Sequence, residues 1–227
     1  MILKGTSEQM VEKGALLLYT ACNAFIRKKG QAVLAVPGGR SVVGILRRLN
    51  SFSFQWHNVH IFMLDERLVP HTHPESNYKL VKKNLGRLLV DGVIHPFTYD
   101  PEKPEESLAG YGEELAHYGG CFDLVLASSG EDGHIGSLFP NHPSVMAKAK
   151  RFVLVDDSPK PPSERMSAGV ELLRRSDTGV LLFFGNGKQK ALQNFYNDDM
   201  TYKQCPAKII AMMSTHYVLT DLEVDIR

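Results

Sequence analysis

Phe122-Asp123-Leu124-Val125-Leu126-Ala127-Ser128-Ser129-Gly130-Glu131-Asp132-Gly133-His134 decides how this chain is read. Phe122, Leu124, Val125, Leu126 and Ala127 form an apolar run too continuous to alternate and bounded by turn residues. That pattern predicts a strand buried on both faces, as in a parallel sheet. The run breaks into a loop in which two glycines bracket an acid just before a histidine. In open α/β sheets the ligand crevice lies outside the carboxyl ends of the strands, where this loop would stand. A turned backbone could there present the His134 imidazole with the Asp132 carboxylate two residues away, a pairing suited to acid–base chemistry. A polar turn with a solvent-facing histidine has the same composition, and the loop by itself leaves both open.

Outward from this stretch the chain alternates. Thr6 or Ser7 caps a predicted helix to about Arg27, closed by Lys28-Lys29-Gly30. A strand follows at Ala32–Val36, a helix at Val42–Leu49, and a strand at Val59–Leu64 that ends in Asp65-Glu66-Arg67. Helices are predicted from about Ser76 to Leu89 and from Glu105 to Tyr118. Beyond the Phe122 strand come a strand at Phe152–Val155, a helix at Ser167–Arg174, a strand at Gly179–Phe184, a helix at Lys188–Tyr196 and a short strand at Tyr217–Leu219. Strands alternating with helices imply an α/β fold with a mostly parallel sheet covered on both faces. No linker-like break, repeat or low-complexity tract divides residues 1–227, so one domain is expected.

Charge narrows the partners. Lys and Arg number 26 against 25 Asp and Glu, a net charge of +1, with no basic stripe of the kind nucleic acid requires. Any anionic ligand must be held by a few local cations. The three cysteines, Cys22, Cys121 and Cys205, are odd in number and far apart, which argues against a disulfide framework or structural zinc and for a reducing compartment. Met1-Ile2-Leu3-Lys4-Gly5 lacks the features of a signal peptide, and no run approaches a membrane span. A cytoplasmic protein without membrane or nucleic-acid partners is expected.

Three further strand-to-helix junctions carry candidate chemistry. Gly38-Gly39-Arg40-Ser41 allows close backbone approach at a helix N-terminus, an anion-binding arrangement, although it is neither a dinucleotide fingerprint nor a P-loop. A tight turn with no ligand would look alike. Asp65-Glu66-Arg67 offers a carboxylate as base or orienter and a guanidinium for bidentate phosphate binding; a surface ion-pair cluster is the alternative. Gly185-Asn186-Gly187-Lys188 places a cation near a helix start, against the helix dipole, which favours an anion nearby. His71 and His73 lack an acidic or cysteine partner at ligand spacing and read as solvated loop residues.

Taken together these segments resemble the family of sugar-phosphate enzymes that contains the short bacterial 6-phosphogluconolactonases and glucosamine-6-phosphate deaminase. The resemblance runs along nearly the whole chain. It is carried by Asp65-Glu66-Arg67 with Pro74-Glu75-Ser76-Asn77-Tyr78, and by Asp132-Gly133-His134 with Ser137-Leu138-Phe139-Pro140. Asp156-Asp157-Ser158-Pro159-Lys160-Pro161-Pro162 with Glu164-Arg165, and Gly185 to Leu192, complete it. It implies a three-layer α/β/α sandwich with a Rossmann-like sheet. It implies hydrolysis of 6-phospho-D-glucono-1,5-lactone in the oxidative pentose phosphate pathway, with no metal or organic cofactor and a monomer or weak homodimer as the working form. His134 would be the general base, assisted by Asp132, with Asp65 near the sugar ring. Gly38, Gly39, Arg40, Ser41, Arg67, Arg165 and Lys188 would bind substrate, chiefly its phosphate.

The chain departs from the pattern at Pro37, where relatives commonly carry serine, and at Arg40, where they carry serine or threonine. Proline removes a hydroxyl from the cradle; Arg40 either replaces that contact or obstructs it. Deaminases place a glutamate five residues past the histidine, where this chain has Phe139, and a tyrosine in place of Arg67. The resemblance is therefore to the lactonase branch. A deaminase-like isomerase or a non-catalytic sugar-phosphate binder are the alternatives.

Overall fold

The computed structural model describes residues 1–53, 55–86 and 93–223. Ten strands and seven α-helices are defined among them. β1 (Ile2–Lys4) leads into α1 (Ser7–Lys29). Thr6 accepts from the Gln9 backbone while the Gln9 side chain accepts from the Thr6 N–H, a reciprocal capping box, and Gly30 ends the helix in the left-handed conformation. β2 (Ala32–Val36), α2 (Arg40–Leu49), β3 (Val59–Met63) and β4 (Asp65–Arg67) follow. Next come α3 (Asn77–Leu85), β5 (Ile94–His95), α4 (Pro104–His117) and β6 (Leu124–Ser128). The remainder is α5 (Pro143–Met146), β7 (Phe152–Val155), β8 (Arg165–Ala168), α6 (Val170–Arg174), β9 (Thr178–Phe183), α7 (Gln189–Tyr196) and β10 (Thr215–Thr220).

Seven strands form one sheet in the order β1-β10-β9-β6-β2-β3-β5, parallel at every pairing and covered by helices on both sides. The centre explains the continuous apolar runs: all five residues of β2 and all six of β9 are buried. Each such Val or Leu contributes about 1.5–3 kcal/mol by leaving water. The carboxyl ends of β2, β6 and β9 lie side by side in the middle of the sheet, so their following loops meet at its carboxyl end.

A second, antiparallel sheet of order β4-β8-β7 corrects three sequence expectations. Asp65-Glu66-Arg67 does not end the β3 strand. The chain breaks at Leu64, and the triplet becomes its own strand paired with Arg165–Ser167. Phe152–Val155 is a strand as expected, but of this small sheet. The predicted helix Ser167–Arg174 is a strand to Ala168 followed by a short helix, because Ser167 and Ala168 complete the ladder before Gly169 releases the chain. The end predicted at Leu89 for the helix beginning near Ser76 lies outside the described residues. No helix among the described residues is long and apolar enough to cross a membrane.

Candidate active site

The loop after β6 closes on itself. Ser129 N–H donates to Leu182 O at 3.0 Å, Gly130 N–H to His134 O at 2.8 Å, and Gly133 N–H to Gly130 O at 3.2 Å. A Cβ on Gly130 would stand 2.0 Å from His134 Nδ1, so only glycine lets the ring fold back over the turn. There His134 Nδ1–H donates to Asp132 Oδ1 at 2.5 Å, and the His134 backbone N–H reaches the same oxygen at 3.3 Å. With the Nδ1 proton fixed by the carboxylate, Nε2 carries the lone pair, and among the described residues it has no partner. Burial pushes the Asp132 carboxyl up. The hydrogen bond and charge of His134, its backbone N–H and the Lys160 ammonium outweigh burial and hold Asp132 well below the usual carboxylate range. Beside the imidazole lies the buried Phe139 ring, its centroid 4.8 Å away.

Asp65 is buried at the start of β4. Ser137 Oγ donates to its Oδ2 at 3.1 Å, and Asn77 Nδ2 donates to its carbonyl at 2.8 Å and its Oδ1 at 3.3 Å. Asn77 is placed by Glu66. That carboxylate, 1% exposed, accepts from the backbone N–H groups of Arg67, Asn77 and Tyr78 at 2.7 Å each and from Ser76 Oγ at 3.1 Å. Burial drives the Glu66 carboxyl upward, while these backbone donors pull against the rise. Glu66 is thus a cap for the α3 N-terminus rather than a cleft residue. Asn77 also abuts the β2 loop: a Cβ on Gly38 would fall 1.8 Å from Asn77 Oδ1.

Gly38, Gly39, Arg40 and Ser41 form the entry to α2, whose Gly39 N-cap supplies no side-chain bond to the first turn. Opposite, Lys188 ends the short 3₁₀ turn Asn186–Lys188 before α7. Burial lowers the Lys188 ammonium below its ordinary value, countered by Glu131 and reinforced by Lys160, with smaller influences from Asp132 and Arg40. Arg67 Nη1 donates to Glu75 O at 2.7 Å and Oε2 at 3.0 Å; its Nε is buried and unpartnered among the described residues. Such a donor is costly unless an acceptor arrives.

Nine of the ten residues singled out from the sequence (Gly38, Gly39, Arg40, Ser41, Asp65, Arg67, His134, Arg165, Lys188) line one cleft of about 830 Å³, and the tenth, Asp132, bonds to His134. Arg165 lines it while largely committed elsewhere: Nε donates to Pro162 O at 2.9 Å, and Nη2 to Lys160 O at 2.9 Å and Pro161 O at 3.2 Å. The sequence reading gave no role to Asn77, Ser137 or Lys160. All three lie in segments that carry the family resemblance, which could have flagged them; what Asn77 and Ser137 do becomes visible only through their contacts with Asp65.

Residues 5–219 match the protein family described as glucosamine-6-phosphate isomerases/6-phosphogluconolactonase. The chain belongs to this family. Among isomerase/lactonase family members it is similar to the 6-phosphogluconolactonase of Borreliella burgdorferi, 32% identical over 209 residues that cover 89% of each chain. The 6-phosphogluconolactonase of Synechocystis is 29% identical over 211 residues, 88% of this chain and 86% of that one. In structure the chain resembles the 6-phosphogluconolactonase of Thermotoga maritima, with a TM-score of 0.86 over 98% of this chain and 99% of that chain at 22% identity. That likeness places the parallel sheet of this family member in the fold of that enzyme.

Proposed function

We propose that this protein hydrolyses the ring ester of 6-phospho-D-glucono-1,5-lactone to 6-phospho-D-gluconate, the lactone-opening step of the oxidative pentose phosphate pathway. One observation carries the reading: an imidazole paired to an ionised carboxylate lines the same cleft as Arg40, Arg67 and Lys188. The names of the relatives support it. Chemistry and anchoring are then separate. The α2 N-terminus, Arg67 and Lys188 hold the phosphate, so binding energy remote from the carbonyl orients it. His134 Nε2 takes a proton from water as its oxygen adds to C1, and the carbonyl π pair becomes an oxyanion. On collapse the C1–ring-oxygen bond breaks, and His134 returns the proton to the departing oxygen. The carboxylic acid product ionises, releasing one proton to solvent.

Asp132 keeps the proton of the neutral ring on Nδ1 and stabilises the imidazolium formed during attack. Phe139 supports hydrolysis over amine-releasing isomerisation, because an apolar ring beside His134 supplies no second acid for ring opening. The test follows proton release from the phosphorylated lactone in weakly buffered indicator, with the spontaneous rate subtracted, and ammonia release from glucosamine 6-phosphate in parallel. Catalysed lactone opening without ammonia is expected. Ammonia release at a comparable rate would overturn the assignment, and neither activity would leave the binder alternative.

A further inference from the structure

Lys160 is a cation lining the cleft to which the reaction above gives no role. It stands in the turn between β7 and β8, which reaches the dyad from the second sheet. That turn is built rather than loose. Lys160 N–H donates to Ser158 Oγ at 3.2 Å, Ser158 Oγ donates to Lys160 O at 3.0 Å, and Ser158 N–H donates to Ser163 O at 3.1 Å. Arg165, 4% exposed, spends Nε and Nη2 on the carbonyls of Lys160, Pro161 and Pro162. A buried guanidinium holding three successive carbonyls fixes the base of the Lys160 side chain.

The ammonium so delivered is near the dyad without being consumed by it. Nζ lies 3.7 Å from Asp132 Oδ2 and 3.5 Å from His134 Nδ1. The first is longer than a charge-assisted hydrogen bond. The second is not one, since Nδ1 gives its proton to Asp132. Among the described residues Lys160 has no closer acceptor, whereas Arg67 is bonded to Glu75 and Arg165 to its carbonyls. A flexible four-carbon stem lets Nζ move within the cleft it lines.

We propose that Lys160 is a further catalytic residue, donating an N–H to the lactone carbonyl oxygen as water adds and that oxygen becomes negative. The inference rests on the lactonase reading. As the water O–C1 bond forms, the π pair moves to oxygen beside the ammonium; on collapse the pair returns, and Lys160 keeps its protons throughout. Removing one donor to a developing oxyanion typically costs about 10²–10³-fold in kcat.

Lys160→Met is compared with the wild-type protein on the phosphorylated and unphosphorylated lactones across pH, with thermal melting as a folding control. A fall of about 10²–10³-fold in plateau kcat on both substrates, with KM within about threefold, is expected. A loss confined to KM of the phosphorylated lactone would make Lys160 a phosphate ligand and overturn the proposal. So would a shifted pH profile with its plateau intact, which would mean Lys160 acts only through Asp132. Should Lys160→Met melt early, Lys160→Cys in a Cys121→Ser background is alkylated with 2-bromoethylamine, bromide leaving as the thioether forms. Recovery of activity with the restored ammonium supports the role; fully alkylated, folded protein without recovery refutes it. Wild-type protein that opens no lactone sinks both readings, whereas an active wild type matched by Lys160→Met sinks this one alone.

Discussion

Asp132→Asn tests the dyad with the smallest change of shape. It removes one charge from a carboxylate that accepts the Nδ1–H of His134 at 2.5 Å and its backbone N–H at 3.3 Å. A hydrogen bond to a charged group is worth about 1.5–3 kcal/mol, and each 1.36 kcal/mol is a decade in rate, so about one to two decades depend on this contact. The amide can lose more. If its NH₂ turns to the ring, Nδ1 becomes the acceptor, the proton moves to Nε2, and the base is blocked, approaching the limit of about 10²–10⁴ for general-base loss. We expect kcat to fall about 10²-fold with KM within about threefold, because neither the α2 N-terminus nor Lys188 is bonded to Asp132. The assay is indicator-detected proton release at saturating phosphorylated lactone, with the uncatalysed rate subtracted. A variant within threefold of wild-type kcat would refute the claim that Asp132 sets the tautomer.

Glu66→Gln keeps volume but offers one oxygen where two accept four donors, orphaning at least one backbone N–H at the α3 N-terminus; urea denaturation is expected to register a loss of about 2 kcal/mol, and a change below about 0.5 kcal/mol would contradict the capping role. Arg67→Ala should raise KM for the phosphorylated lactone and leave the unphosphorylated lactone little changed, whereas equal losses on both substrates would put Arg67 in the chemistry or the fold. Asp132 is an acid whose folded value is depressed, so its share of stability is complete above the unfolded carboxylate value of about 3.9 and is lost as pH falls through the folded one. Asp132→Asn should therefore be less sensitive to acid than wild type below about pH 4, and parallel stability–pH curves for the two proteins would show that Asp132 has no such linkage.

What the sequence made legible follows from how far each interaction reaches. β2, β6 and β9 were readable because strands buried on both faces must be continuously apolar, a local property. The strand-end residues Gly38, Gly39, His134 and Lys188 were readable because a parallel sheet brings its carboxyl ends together whatever the loop lengths. The antiparallel β4-β8-β7 sheet was not. Its partners, Asp65–Arg67 and Arg165–Ser167, are about a hundred residues apart and carry charged or polar side chains that no hydrophobic period marks. Arg165 and Glu66 violate the rule that charges stay exposed, and each does so because backbone groups surround it: carbonyls in one case, N–H groups in the other.

That hidden sheet also joins the two ends of the proposed reaction. The parallel sheet sets the proposed phosphate cradle after β2 beside the histidine loop after β6 by pairing the two strands, and the second sheet adds side-chain contacts between those loops. β4 supplies Asp65 as the link: its carboxylate accepts from Ser137, three residues past His134, and from Asn77, whose amide oxygen fills the space a side chain on Gly38 would need. β8, paired to β4, carries Arg165, which sets the turn bearing Lys160 over the dyad. A displacement of Asn77 would therefore disturb Asp65 and the Gly38 turn together. On the proposed reading this one buried amide links the phosphate cradle to the carboxylate beside the dyad loop, so substitutions at Asn77 are expected to register in kcat as well as in stability.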